Sequence, residues 1–455
     1  MAHVAIVGGG PGGYEAALVA ARLGADVTLV ERDGVGGSTV LTDCVPSKTL
    51  IATSDLLNEV ETSAELGVKV PSTVRADLSS VNARVLRLAA AQSADIAERL
   101  RASGVRVLTG TARLTSARSV RVSGPEGDQD VVADGILLAT GAHPRVSPDA
   151  EPDGERILTW EQVYGLQEIP EHMIVVGSGV TGAEFASAYN GLDARVTLVS
   201  SRDRVLPGED EDAANLIEDV FTERGMTVMG TSRMASVERR GDGVVVTLTD
   251  GRSIEGSHCL LALGSIPNTA GLGLEDAGVT LDDRGFVQVD RVSRTSAPGI
   301  YAAGDCTGVL MLASVAAQQG RIAMSHLLGD AVLPLDLDKV SSNIFTSPEI
   351  ATVGLSQRQV EESEIQVDVT MLPLAANPRA KMQGVHHGFV KLFARSGGGA
   401  VVGGVVVGPR ASELVHALSL AVSTSLTVDQ VADAFTIYPS LSGSVAEAAR
   451  RLHRA

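Results

Sequence analysis

The 455-residue sequence predicts an α/β protein in which one strand–helix–strand unit occurs twice and a C-terminal α+β segment follows. Three observations carry that prediction. The β-branched run Val4–Val7 leads into Gly8-Gly9-Gly10-Pro11-Gly12-Gly13 and then the helical run Tyr14–Leu23. The same order returns as Met173–Val176, Gly177-Ser178-Gly179-Val180-Thr181-Gly182 and the helical run Ala183–Tyr189. From Val340 onward no glycine fingerprint recurs, and apolar strands alternate with helices.

Taken in order, each element follows from local chemistry. Gly24 ends the first helix, and Val27–Val30 forms a second strand that closes at Glu31. The second copy has its strand at Arg195–Val199, ending in Ser200-Ser201-Arg202. Between the copies, Val81–Leu100 has the spacing of a long amphipathic helix. Val105–Val132 reads as short strands broken by turn residues such as Gly124-Pro125-Glu126-Gly127. Ile136–Ala139 is a buried strand running into Thr140-Gly141, and Cys259–Leu263 runs likewise into Gly264. Gly299–Asp305 reads as a strand ending in Gly-Asp, with a helix from about Leu312 to Leu328. In the C-terminal segment, strands are expected at Phe389–Phe393 and Val401–Val407, and helices at Ser412–Ser423, Val428–Phe435 and Ser444–Leu452.

The two glycine runs have the context of dinucleotide-binding Rossmann-like units: strand before, helix after, and an informative residue about 20 positions on. The first glycine permits a tight turn, the second lets backbone approach a pyrophosphate at the helix N-terminus, and the third lets helix and strand pack closely. Gly8, Gly10 and Gly13 fill these roles in the first copy. Glu31 stands where a carboxylate accepts ribose hydroxyls. Gly177, Gly179 and Gly182 fill them in the second. There the strand end is Ser200, followed by Ser201 and Arg202. With no carboxylate to repel a 2′-phosphate and an arginine to pair with it, NADPH is expected to bind alongside NADH.

Composition narrows the class. The formal charge is −18 and only 3% of residues are aromatic, which argues against nucleic-acid binding on both electrostatic and stacking grounds. Residues 340–455 carry nine acidic and nine basic side chains, so the net charge resides in 1–339. A neutral segment on a self-repelling chain hints at self-association. Cys44, Cys259 and Cys306 have neither disulfide-framework nor zinc spacing. His386-His387 lies in an expected surface turn between Met382 and Phe389, and no metal site is expected. No apolar run reaches the roughly 18 residues of a membrane span, and no signal-like h-region opens the chain. A soluble cytoplasmic protein is expected.

The two fingerprints, with Thr140-Gly141, Gly304-Asp305 and Phe345-Thr346-Ser347-Pro348-Glu349, resemble the FAD-dependent pyridine nucleotide–disulfide oxidoreductases over essentially the whole chain. The resemblance implies an FAD domain (1–145 and 270–339), an NAD(P) domain (146–269) and a dimerisation domain (340–455), hence a homodimer. It also implies site residues. Asp305 would hold the FAD ribityl chain, and Lys48 would lie near flavin N5 and pair with Glu184. Thr140 and Gly141 would belong to the FAD site and Gly264 to the NAD(P) site. The helix from Ala313 would direct its N-terminus at the flavin's pyrimidine edge.

Departures from the family pattern carry the functional reading. Gly36–Lys48 aligns with the family's redox segment, which has two cysteines separated by four residues; here the first is Thr39, leaving only Cys44. The family's His-Pro-Thr is Tyr438-Pro439-Ser440, and the glutamate that orients that histidine aligns with Gly443. Dithiol exchange needs an attacking thiolate, a second sulfur and a proton acceptor. Dihydrolipoamide, glutathione and mycothiol-type disulfides are therefore excluded as substrates. The chain is most similar to the lipoamide-dehydrogenase-like NAD(P)H:quinone reductases that lack the redox disulfide. These pass hydride from NAD(P)H to FAD and on to a quinone or similar acceptor. Cys44, beside the flavin, and Tyr438, as a proton donor across the dimer interface, are the remaining catalytic candidates. A soluble pyridine nucleotide transhydrogenase and a non-catalytic flavoprotein subunit are the alternatives.

Overall fold

A computed structural model describes residues 1–70, 74–362 and 364–453. The chain divides into two units. The first comprises Met1–Thr49, Asn82–Arg145 and Ser265–Asp336; the second comprises Leu50–Val81, Val146–Gly264 and Leu337–Ala455.

The first unit is organised by a parallel sheet in the order Ile300–Ala302, Gly135–Leu138, His3–Val7, Asp26–Glu31, Arg106–Thr109. Its central strands are covered on both faces: Val4, Ala5, Ile6, Ile136, Leu137 and Leu138 are all fully buried. That is why they read as unbroken apolar runs and not as alternation. The helices Pro11–Arg22 and Ala313–Leu327 cross at Gly12 and Gly320, where a Cβ on Gly320 would overlap the Gly12 carbonyl oxygen. The amphipathic helix spans Leu78–Ala102, with Val85, Ala89, Ile96 and Leu100 on its buried stripe. The expected short strands form an antiparallel sheet, Thr111–Ser116, Ser119–Gly124 and Gly127–Val132. The strand expected over Gly299–Asp305 is shorter than its composition suggests. It ends at Ala302, because Gly304 takes φ +82° and Asp305–Thr307 closes a 3₁₀ turn.

The second unit contains a parallel sheet in the order Thr227–Met229, Arg195–Val199, His172–Val176, His258–Leu261, Ile157–Thr159. It repeats the first sheet with one change of connectivity. The outer strand Ile157–Thr159 precedes the fingerprint strand, whereas in the first unit the outer strand arrives from far downstream. The C-terminal part forms an antiparallel sheet, ordered Ser341–Ile344, Glu349–Gly354, Val401–Gly408, Phe389–Arg395, Val367–Pro373. Helices Ala411–Thr424, Val428–Asp433 and Gly443–Leu452 contribute Leu418, Val428, Val445 and Ala448 to its core. The second of these helices stops two residues before Phe435, which is fully exposed.

Two charged groups of the second unit contrast in how they are compensated. Lys391 is 5% exposed on the strand Phe389–Arg395. Its ammonium lies 2.9 Å from Asp210, the N-cap of helix Glu211–Glu223, and 2.8 Å from Asp212. A buried ammonium is tolerable only with such partners. Asp55, on helix Cys44–Thr62, has no such compensation. Burial first, then the carboxylates of Glu349 and Glu59, push it up to about 6 against the pull of Arg224. Among the described residues, no helix is long and apolar enough to cross a membrane.

The Asp55 carboxyl is raised in the folded state, so the native protein holds this proton more tightly than the unfolded chain. Its contribution to stability is complete below the unfolded value and is lost as pH rises through about 6. Asp55→Asn is expected to stabilise the protein by about 2 kcal/mol at pH 7 and to change little near pH 4, as read by urea denaturation at the two pH values.

Candidate dinucleotide sites

The two fingerprints adopt one geometry. Gly8 has φ +102° and Gly177 φ +111°; a Cβ on either would collide with the carbonyl oxygen of Ala139 or Ala262, at the outlet of the neighbouring strand. A Cβ on Gly13 or Gly182 would overlap the carbonyl oxygen of Gly8 or Gly177. The middle glycines are different. No atom lies within 4 Å of where a Cβ on Gly10 or Gly179 would sit. These residues are the N-caps of helices Pro11–Arg22 and Val180–Gly191, which have no side-chain cap and no acidic residue in the first turn. Each helix therefore presents uncapped N–H groups and its positive end to an open cradle, as a pyrophosphate requires.

Around the first cradle, Glu31 closes its strand as expected and also braces the turn. It accepts the Gly9 N–H at 2.6 Å and those of Arg32 and Asp33 at 2.7 and 2.8 Å. Thr140 and Gly141 lie at the outlet of Gly135–Leu138. Their carbonyls accept from the side chain and backbone N–H of Asn268, at 2.9 and 3.0 Å. Asn268 in turn lies 2.6 Å from His143. Sequence reasoning misses Asn268, since nothing local marks a residue whose role is a bond to a loop 128 positions away. Asp305 heads the 3₁₀ turn after Gly304, and burial pushes its carboxyl up to about 6. Among the described residues no side chain or N–H bonds to that carboxylate, which suits a polyhydroxyl ligand such as the ribityl chain. Ala313 opens helix Ala313–Leu327, which again lacks a side-chain cap and a first-turn acid.

In the second copy, Ser200 is fully buried and organises the loop that follows it. Its hydroxyl lies 2.7 Å from that of Ser178 and accepts the Arg202 N–H at 3.1 Å. Ser201 and Arg202 are exposed. The two loop arginines differ. Arg204 pairs with Glu211 at 2.8 Å, whereas Arg202 makes no ion pair among the described residues. Gly264, at the outlet of His258–Leu261, has φ +87° and open space at its Cβ position.

The redox segment places Cys44 at the first position of helix Cys44–Thr62, half-buried, with Lys48 one turn further on. Thr39 lies in the short helix Gly37–Leu41. None of the three cysteines is in a disulfide; Cys259 and Cys306 are fully buried in two separate cores, and burial pushes Cys306 up to about 11. Lys48 belongs to the first unit and Glu184 to the second. Glu184 is buried and accepts the Phe345 N–H at 2.9 Å. One helical turn on, Ser187 accepts the Ser347 N–H at 3.1 Å. Two residues on one helix face thus grip Phe345 and Ser347 in the connection between strands Ser341–Ile344 and Glu349–Gly354. Tyr438 is 83% exposed, with Phe435 and Ile437 beside it. It borders a cavity of about 460 Å³ lined also by Asn377, Pro378, Gly443 and Arg450.

Residues 2–320 match the family model described as pyridine nucleotide-disulphide oxidoreductase, and residues 340–449 match that family's dimerisation domain. The chain belongs to the pyridine nucleotide–disulphide oxidoreductase family. Members of this family use FAD and NAD(P)H, and this chain is one of its oxidoreductases. It is 51% identical to an NAD(P)H dehydrogenase (quinone) of Mycobacterium tuberculosis, over 99% of this chain and 94% of that one. The crystal structure of LpdA from M. tuberculosis is similar with a TM-score of 0.95 at 51% identity, covering 100% of both chains. A dihydrolipoyl dehydrogenase of Chlorobaculum parvum is 35% identical over 98% of this chain and 96% of its own. The uncapped helix ends, the open cradles and the unpartnered Asp305 carboxylate fit the family's two dinucleotides.

The middle and third glycines separate binding from folding. Gly179→Ala should fold normally, with an unchanged thermal midpoint, while its methyl fills the pyrophosphate space and raises the NADPH KM at least roughly ten-fold. Gly182→Ala should instead lower the thermal midpoint, because its methyl meets the Gly177 carbonyl. Paired calorimetry and steady-state kinetics on the two variants check both outcomes.

Proposed function

We propose that the protein is a cytoplasmic, homodimeric NAD(P)H:quinone oxidoreductase that uses FAD and works without a redox disulfide. The observation that carries this reading is the distribution of thiols: Cys44 is half-buried at a helix start, and the other two lie in separate sealed cores. No second sulfur is available to Cys44. The relative of M. tuberculosis, an NAD(P)H dehydrogenase (quinone), supports the choice of acceptor. The apolar group Phe435, Ile437 and Tyr438, exposed within the region matched to a dimerisation domain, supports a second copy of the chain as its cover.

When bound, FAD supplies the two-electron relay between nicotinamide and acceptor. The chain's own residues bind and orient. Gly8, Gly10 and Gly13 leave room for one pyrophosphate and Gly177, Gly179 and Gly182 for the other. Glu31 meets a ribose, Asp305 accepts from ribityl hydroxyls, and Thr140, Gly141 and Ala313 complete the flavin's side of the site. Ser200 shapes the loop that presents Ser201 and Arg202 to a 2′-phosphate, and Gly264 leaves the nicotinamide side open. By the family resemblance, Lys48 would supply positive charge toward the reacting edge of the flavin, and Glu184 is its expected counter-charge. Cys44 contributes a single thiol on that side, and Tyr438 is the proton donor to the reduced acceptor.

Purified protein is expected to oxidise NADPH with a quinone and to give no dihydrolipoamide turnover. Anaerobic titration should consume about two reducing equivalents per subunit, the capacity of the flavin alone. Consumption of about four would reveal a dithiol and overturn the reading. NADPH-driven reduction of a thio-NAD analogue without quinone would mark a transhydrogenase instead.

For nucleotide choice, Arg202→Ala should raise the NADPH KM by roughly ten-fold, the worth of one charge-assisted hydrogen bond, and leave the NADH KM within about two-fold. Arg204→Ala should do less, because that guanidinium is already held by Glu211. Parallel KM measurements with both nucleotides check the contrast.

A further inference from the structure

Gln319 is 1% exposed, in the interior of helix Ala313–Leu327, among residues that bury apolar side chains. An amide in such a place must have its polar atoms met. Its carbonyl oxygen accepts the Gly304 N–H at 2.8 Å, and its amide nitrogen lies 3.4 Å from the Thr307 hydroxyl, positioned to donate. The Thr307 hydroxyl in turn donates to the Gly304 carbonyl at 2.7 Å. Both backbone groups of Gly304 are thus tied, directly or through Thr307, to one side chain.

Three further observations give that tie its meaning. Gly304 immediately precedes Asp305 and sets its direction, with φ +82° at the start of the 3₁₀ turn. Ala316, one turn before Gln319 on the same helix face, packs so closely that a Cβ on Gly304 would lie 3.1 Å from its methyl. Gly320, the next residue, presses on the Gly12 carbonyl of the first fingerprint helix. Successive residues of one helix therefore register it against the Gly304–Asp305 turn and against the helix of the first cradle.

We propose that Gln319 is a positioning residue of the flavin site: it fixes the Gly304–Asp305 turn to helix Ala313–Leu327, so that the Asp305 carboxylate and the helix N-terminus meet FAD in one fixed relation. Gln319 touches no ligand atom in this role. It acts by holding the backbone from which Asp305 projects. The inference rests on FAD occupying the first cradle.

The test uses full-length holoenzyme and follows release of FAD on dilution by the rise in free-flavin fluorescence, with the visible spectrum of the bound flavin recorded beforehand. Gln319→Leu keeps the volume and leaves the Gly304 N–H buried without an acceptor. It is expected to weaken FAD retention by roughly ten-fold or more, the consequence of one orphaned buried donor. Gln319→Glu is the sharper variant. A neutral glutamic acid offers a carbonyl acceptor and an O–H donor, as the amide does, while its ionised form keeps only acceptors and sets a second negative charge near Asp305. Its FAD retention, divided by that of the wild type at the same pH, should approach parity near pH 6 and fall toward pH 8. A residue that merely fills space gives no such pH profile. Retention by Gln319→Leu equal to the wild type, or a Gln319→Glu ratio independent of pH, would overturn the proposal. Wild-type protein purified without flavin would overturn the cofactor reading itself, a result distinguishable from either.

Discussion

The carbonyl oxygen of Gly8 sits where a side chain on Gly13 would have to begin, and Gly177 stands in the same relation to Gly182. This contact draws each fingerprint helix hard against its strand. The helix N-terminus then opens onto space at the middle glycine, with no side chain to occupy its N–H groups. Binding capacity follows from packing: the closeness that forbids a methyl group at one end of the turn produces the anion cradle at the other. In the first unit the constraint is passed on. Gly320 meets the Gly12 carbonyl, so helix Ala313–Leu327 is located by the first fingerprint helix.

Much of this is legible in the sequence because it is local. Two glycine runs, each between a β-branched strand and a helix, predict the paired domains, and Ile136–Ala139 and Cys259–Leu263 are found within a residue or two because buried parallel strands leave continuous apolar runs. The change of texture after Val340 marks the C-terminal sheet. Short elements are not legible in the same way. Ile157–Thr159 is three residues long, too few for any period to show, yet it completes the second parallel sheet. Conversely, Gly299–Asp305 has the composition of a strand, but the φ of Gly304 ends it early.

The site divides along the same line. Glycines, Glu31, Arg202 and the solitary Cys44 can be read from spacing and chemistry. Ser200 can be located but its orientation cannot. Its place at a strand end suggests a ligand contact, whereas the fold turns it inward onto Ser178 and the backbone of its own loop. Asn268 and Gln319 leave no trace in sequence, since each acts through bonds to residues of another segment, Asn268 to the Thr140 and Gly141 carbonyls and Gln319 to the Gly304 N–H and the Thr307 hydroxyl. The connection Phe345–Ser347, held by Glu184 and Ser187, is another such case, visible only once helix and connection lie side by side.

A quinone is an electrophile as well as an oxidant, and thiols add readily to its ring. The burial of Cys259 and Cys306 therefore bears on durability as much as on packing. A flavoenzyme that turns over such acceptors would arylate itself wherever a soft nucleophile met the solvent. Two of the three thiols lie in cores of aliphatic side chains, so with the proposed quinone acceptor addition to a thiol is confined to Cys44, at the first position of its helix.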